Sequence, residues 1–134
     1  MERNTKSGNG GFTLLELMIV LTIIGILVSI SIPLYQSVVL HARETALKDD
    51  LRTLRNVIDQ YTADKKKAPQ SLEDLVQGGY LRQIPEDPIT HSSTTWEPVI
   101  DTSSASPDQT ESGITDVRSG STAISSEGTL YSAW

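Results

Sequence analysis

Glu16 is the one charged residue between Phe12 and Leu40. It stands near the start of the apolar run GGFTLLELMIVLTIIGILV, where burying a carboxylate in a membrane costs about 2.5–3.5 kcal/mol on insertion scales. An acid placed there needs a positive partner, a proton, or a position at the membrane surface where it reaches water. No lysine, arginine or histidine lies between Phe12 and Leu40, so no side chain of the run supplies the partner. Cutting the backbone makes a cation at that depth by freeing an α-amine. A cut between Gly11 and Phe12 places an ammonium four residues before Glu16, about one helical turn away. Such an amine and carboxylate can pair within one chain or between neighbouring chains. Two roles stay open for Glu16: a carboxylate at the interface, reached by water, or one half of an ion pair created by processing.

The other candidate groups point to little chemistry. His41 and His91 are far apart in a chain without cysteine, so a zinc site is not expected. Glu73-Asp74 and Glu86-Asp87 are paired carboxylates, the first on a short surface helix and the second in a proline turn. Both read as caps and solvated charges rather than a general acid and base, because no apolar pocket surrounds them. The Ser/Thr-rich tail lacks a base suited to activating a nucleophile, and there is no phosphate-binding loop. Lys65, Lys66 and Lys67 read as a solvated helix end. Trp96, Tyr80, Tyr131 and Trp134 read as core anchors. The expectation is a protein that is not an enzyme.

The elements that position these residues emerge from the hydrophobic pattern. Residues 1–11 are short, polar and net basic, and from Phe12 to Tyr35 the chain is apolar all round and long enough to span a bilayer as a helix. Two basic residues precede that run and acids dominate the far side of it, so the N-terminus is expected in the cytoplasm and the bulk outside. The small residues of SISIPLY offer a signal-peptidase cut as a lesser alternative. Beyond Pro33, which has no amide hydrogen and loosens a helix, the pattern turns amphipathic. Val39, Ala42, Ala46, Leu47, Leu51, Leu54, Ile58 and Tyr61 recur at spacings of mostly three and four, with Arg43, Glu44, Asp49, Asp50, Arg52 and Asp59 assigned to the other faces. One helix from about Phe12 to Tyr61 is predicted, roughly 75 Å long, too long for the rest of the chain to cover.

Lys65 to Gln70 end that helix, with Pro69 as the stop. SLEDLVQGGYL predicts a short helix with Ser71 as N-cap, Asp74 three residues on, and Gly78-Gly79 as its C-terminal stop. TTWEPVI, GITDVRS and GTLYSAW are strand candidates joined by Ser-, Thr-, Gly- and Asp-rich connections. DTSSASPDQTESG reads as a surface loop or a disordered stretch. Residues 68–134 carry ten acids against Arg82 and Arg118, within a total of −6. That balance argues against nucleic acid as a partner, because phosphate binding wants a basic face.

GGFTLLELMIVLTIIGILVSISIP resembles the N-terminal segment of the type IV pilin-like family, shared by type IV pilins and type II secretion pseudopilins. The carriers are Gly11, Phe12, Thr13, Leu14, Glu16 and Pro33. The resemblance implies that a prepilin peptidase cuts after Gly11 and methylates the amine of Phe12. It implies that Glu16 contacts the N-terminal amine of an adjacent subunit during assembly, and that Gly25 and Pro33 mark the stretch able to unwind as subunits leave the membrane. KKKAPQSLEDLVQGGYLRQIPEDPIT is similar to the major pseudopilins of type II secretion, through Pro69, Leu72, Leu75, Gly79, Tyr80, Leu81, Ile84, Pro85, Asp87, Pro88 and Trp96. Those subunits commonly bind calcium in a C-terminal loop through closely placed aspartates. Calcium takes six to eight oxygens, several of them carboxylate, and this tail offers only Asp116 and Glu127, with Ser119, Ser121, Ser125 and Ser126 as weaker oxygens. An ordinary Ser/Gly-rich loop is the reading of those residues, with calcium the alternative.

The expected organisation is therefore α+β and pilin-like. Residues 1–11 form a cleaved leader, 12–35 a transmembrane and polymerisation helix, 36–64 an amphipathic helix, and 65–134 a small periplasmic globular region whose antiparallel sheet packs on the amphipathic half. The implied function is a structural subunit of a filament that helps export proteins across the outer membrane. Its implied partners are copies of itself, the prepilin peptidase, an inner-membrane assembly platform, minor pseudopilins, and lipid before assembly. A type IV pilin for adhesion, motility or DNA uptake is the alternative, and a membrane-anchored binding protein or enzyme the more distant one.

Overall fold

A computed structural model describes residues 10–101 and 112–134. The expected leader, apart from its last two glycines, and most of the Ser/Asp-rich connection lie outside the described residues. Two units are distinguished, one ending at Val38 and one comprising Val39–Trp134. The elements are α1 (Leu14–Lys65), α2 (Leu72–Gln77), β1 (Glu97–Asp101), β2 (Gly113–Arg118) and a 3₁₀ turn at Tyr131–Ala133. The architecture is α+β and pilin-like, as expected.

α1 begins two residues later than Phe12 and ends four residues later than Tyr61. Its start is set by Thr13, whose hydroxyl accepts the Glu16 backbone N–H at 3.2 Å and whose carbonyl accepts the Leu17 N–H at 3.2 Å, a capped first turn. Its end is set by Lys66, which turns to φ 58° while donating its N–H to Thr62 O at 2.9 Å. Pro33 lies inside the helix without ending it.

In the first unit every large apolar side chain from Phe12 to Val38 is exposed. In the second unit α1 presents Leu47, Leu51, Leu54, Ile58 and Tyr61 to a core completed by Leu72 and Leu75 of α2, Trp96, Ile114 and Val117 of β2, and Tyr131. Two assignments made from the pattern change here. Ala42 and Ala46, placed on the apolar stripe, are exposed, and Glu44, placed on a polar face, is buried. The buried positions 44, 47, 51, 54, 58 and 61 are separated alternately by three and four, which holds them to one helix face.

α2 is built as predicted. The Asp74 carboxylate accepts the backbone N–H groups of Gln70 at 2.8 Å and Ser71 at 3.1 Å, and these bonds hold Asp74 below the usual carboxylate range, against a smaller opposing effect of burial. Gly79 comes next at φ 78°, the left-handed conformation that carries no Cβ penalty in glycine.

β1 and β2 form a two-stranded antiparallel sheet with a register shift beyond Val99, which pairs with Asp116 while Ile100 pairs with Ile114. Thr115 is the extra residue. The bulge turns both Ile114 and Val117, three apart, into the core where strict alternation would expose one of them. The third strand candidate, GTLYSAW, is not a strand. Leu130 makes an isolated bridge to Ile124 and the chain then closes into the 3₁₀ turn, because Tyr131 is drawn inward to only 2% exposure. The segment after β2 passes close to the residue before Trp96, where a Cβ at Gly120 would stand 2.1 Å from the Thr95 carbonyl oxygen. Gly120→Ala is therefore expected to lower unfolding free energy by on the order of 1–3 kcal/mol through overpacking. Gly10→Ala, where a Cβ meets nothing within 4 Å, should leave it unchanged; denaturant unfolding of the detergent-solubilised chain checks both.

Candidate functional site

Two groups of residues carry the functional interest, one in each unit. The first is the start of α1. Gly10, Gly11 and Phe12 lie in exposed, non-helical backbone ahead of Thr13. The Gly11–Phe12 bond is thus outside the helix and exposed. A Cβ on Gly11 would meet nothing within 4 Å, so nothing within the described fold requires glycine there.

Phe12 is 86% exposed. The Glu16 side chain is exposed and has no hydrogen-bond or ion-pair partner among the described residues. Its position three residues after Thr13 makes Thr-x-x-Glu, the spacing of a capped helix start. That signal is legible in the sequence and places Glu16 where the helix dipole favours an anion. Further along, Ser29 Oγ donates to Gly25 O at 2.7 Å and Ser31 Oγ to Leu27 O at 2.8 Å. Pro33 withholds the N–H that Ser29 O would accept in an unbroken helix. The backbone ladder of α1 thus lacks one bond within Gly25 to Pro33.

The second group is centred on Glu44, 5% exposed. Its Oε1 accepts the Ser126 N–H at 2.6 Å and the Tyr131 hydroxyl at 2.9 Å, and its Oε2 accepts the Ser126 hydroxyl at 2.5 Å. His41 Nδ1 stands 3.5 Å from Oε2. Burial raises the Glu44 pKa, but the hydrogen bonds from Ser126 and Tyr131 and the nearby His41 outweigh it and hold the carboxyl below its ordinary value. The same contacts act oppositely on Tyr131, whose hydroxyl is pushed up to about 12 by burial and by donation to Glu44.

A second carboxylate, Asp87, is expected from sequence to be a solvated charge and is instead fully buried. It accepts the Ile89 N–H at 2.8 Å, the Thr90 N–H at 3.3 Å and the Ser119 hydroxyl at 2.5 Å. These bonds pin the IPEDPIT turn to the end of β2, with the Trp96 indole donating to Pro85 O at 2.7 Å beside it. The Asp-Pro spacing is a turn signal in its own right; its partner at Ser119 is too distant in sequence to read. Its neighbour Glu86 is exposed, as expected.

The calcium candidates take other roles. Asp116 Oδ1 accepts Arg55 Nε at 2.6 Å and the Val117 N–H at 2.7 Å. Arg55 also donates to Val117 O at 3.1 Å and Trp134 O at 2.7 Å. Glu127 accepts Lys48 Nζ at 2.9 Å, and Lys48 sits 4.4 Å from the centre of the Trp134 ring. Among the described residues no three His, Cys, Asp or Glu side chains gather as a metal site would require.

The prokaryotic N-terminal methylation motif family matches residues 6–32. The chain is similar to the type II secretion system core protein G of Aeromonas hydrophila, 33% identical over 99 residues that cover 62% of this chain and 69% of that protein. The core protein G of Pseudomonas aeruginosa is 34% identical over 104 residues, covering 66% and 71%. The type IV major fimbrial protein FimA of Dichelobacter nodosus is 42% identical over 65 residues, covering 48% and 41%. No solved structure matches the chain.

A carboxylate with a depressed folded pKa contributes stability that is complete above its unfolded value and is lost as pH falls through its folded value. For Glu44 the unfolded value is near 4.5, so the loss falls below that pH. The thermal midpoint of the full chain in detergent should hold from neutrality to about pH 5 and decline below it. Glu44→Gln should flatten part of that decline, separating Glu44 from Asp74, and a pH series of thermal melts on both proteins checks this.

Proposed function

The chain belongs to the type II secretion system core protein G family, and from that premise we propose how it is processed and assembled. It is a pseudopilin, a structural subunit. The reaction that matters is carried out on the chain rather than by it. A prepilin peptidase cuts between Gly11 and Phe12, releases residues 1–11 and methylates the new amine of Phe12. The mature subunit sits in the inner membrane by residues 12–35, with its N-terminus at the cytoplasmic face and the unit from Val39 onward in the periplasm. It then enters a filament that helps folded proteins cross the outer membrane.

One observation supports this reading above the rest. From Phe12 to Val38 the chain is apolar on all sides and every large apolar side chain is exposed, with Glu16 the single charge. A surface of that extent needs lipid or other helices against it. In lipid the helix is a single-pass anchor; in the filament the neighbours' helices take lipid's place. Glu16 pairs with the amine of a neighbouring Phe12, and Gly25 to Pro33 gives way as the subunit leaves the bilayer. An assembly platform and minor pseudopilins act on the same helix.

A type IV pilin is the second reading, favoured by the fimbrial match. That match covers 65 residues, whereas the core protein G matches cover 93 to 104. The longer correspondence supports secretion.

Intact mass of the membrane-extracted protein is expected to show loss of residues 1–11 and gain of one methyl group. Gly11→Ala should fold normally yet keep its leader, because the chain itself makes no demand for glycine there. Glu16→Ala should be processed and inserted but yield no filaments by electron microscopy of sheared cells. Filaments from the Glu16→Ala chain, or a leader retained in functional filaments, would remove the amine–carboxylate account.

A further inference from the structure

The C-terminal loop from Ser119 to Tyr131 is polar and irregular, and three of its donors converge on one point. The Ser126 N–H, the Ser126 hydroxyl and the Tyr131 hydroxyl all end on the Glu44 carboxylate, 82 to 87 positions away in sequence. A loop that turns donors inward is built to enclose an anion. A loop that encloses a cation must instead turn oxygen lone pairs inward, six to eight of them for calcium.

Three of the loop's serine hydroxyls already accept bonds from its own backbone. Ser119 Oγ accepts the Ser121 N–H at 3.2 Å, and Ser121 Oγ accepts the Ala123 N–H at 3.3 Å. Ser125 Oγ accepts the N–H groups of Glu127 and Thr129, each at 3.2 Å. The two carboxylates nearest in sequence, Asp116 and Glu127, are held by Arg55 and Lys48. Among the described residues no buried side-chain polar atom is left without a partner. The donor set does not fit calcium.

We propose that Glu44 is the built-in anion around which residues 119–131 close, so that this loop is ordered without a bound divalent cation. The helix supplies the charge, and the loop supplies three donors at short distance, the arrangement that makes charge-assisted hydrogen bonds strong. The fold of the C-terminal unit is then independent of ambient calcium. This rests on the geometry of residues 39–134 alone and stands or falls separately from the filament reading.

The experiment is hydrogen exchange by mass spectrometry on the full chain in detergent micelles, with millimolar calcium or with a chelator. Wild-type exchange in residues 119–134 should be the same in both. Glu44→Leu fills the stripe with an apolar side chain of similar size but leaves the three donors without an acceptor. Loop exchange in that variant should rise by about tenfold or more, the factor for losing one buried acceptor, while amides of β2 stay protected. Glu44→Gln keeps one acceptor oxygen and should fall between the two. Calcium-dependent protection of the wild-type loop overturns the proposal, as does a Glu44→Leu loop that exchanges at the wild-type rate. Loss of β2 protection in both variants also overturns it, because Glu44 would then hold the whole unit rather than the loop.

Discussion

The unit from Val39 to Trp134 is built on one stripe of α1, and most of its other contacts depend on that stripe. Leu47, Leu51, Leu54, Ile58 and Tyr61 form an apolar edge on a helix whose remaining faces are charged. A single helix cannot bury such an edge by itself. α2, the β1–β2 sheet and the Tyr131 turn close over it, each contributing one or two large side chains. The two-stranded sheet is below the size that is stable alone, so it too depends on the helix. Arg55 shows the dependence from the polar side. It rises from the rim of the stripe to join Asp116 and Val117 of β2 with Trp134 at the end of the chain.

Polar contacts finish what the apolar ones begin. Residues 119–131 contain no large apolar residue in the core except Tyr131, so burial alone cannot fix their path. Several of their backbone N–H groups are satisfied by serine hydroxyls within the loop. The loop as a whole is tied to α1 by Glu44 and to the proline turn by Asp87. A neutral hydrogen bond contributes about 0.5–1.5 kcal/mol net, and one to a charged group about 1.5–3 kcal/mol. Two buried carboxylates that each accept three bonds therefore outweigh the scattered hydroxyl contacts around them. Charge, used sparingly and fully partnered, organises the part of the fold that hydrophobicity leaves open.

Helix, caps and strands are legible in the sequence because their signals are local. The 3-and-4 spacing, the Ser71–Asp74 cap, the Gly78-Gly79 stop and the two strands each lie within a short window. Glu44 is harder to place, although its spacing to Leu47 fits the same stripe, because residue type argues against register there. The three donors that make an acid acceptable at that position are supplied more than eighty residues away, beyond any window. GTLYSAW departs from its strand pattern for a related reason. Its residues suit a strand, but Tyr131 turns inward to reach Glu44 and the backbone goes with it into a 3₁₀ turn. At the start of α1 two signals overlap: Thr13 and Glu16 announce a capped helix, and that local role sits beside the processing motif.

That local role has a magnitude, and it bears on Glu16. An anion in the first turn of a helix gains about 0.3–1 kcal/mol from the dipole. Placing the same carboxylate inside a bilayer costs about 2.5–3.5 kcal/mol. The helix start therefore offsets a minor part of the cost and leaves roughly 2 kcal/mol to be met. The described residues of this chain offer Glu16 no cation to meet it. A free amine about 4 Å away would contribute about 4 kcal/mol at the effective dielectric typical of protein pairs near a surface. That exceeds the shortfall, whereas the dipole does not. On these magnitudes the cap explains why helix α1 begins at Leu14, and it does not explain why an acid is kept in the membrane-facing run. The proposed pairing with a neighbour's Phe12 amine supplies a contribution of the right sign and sufficient size.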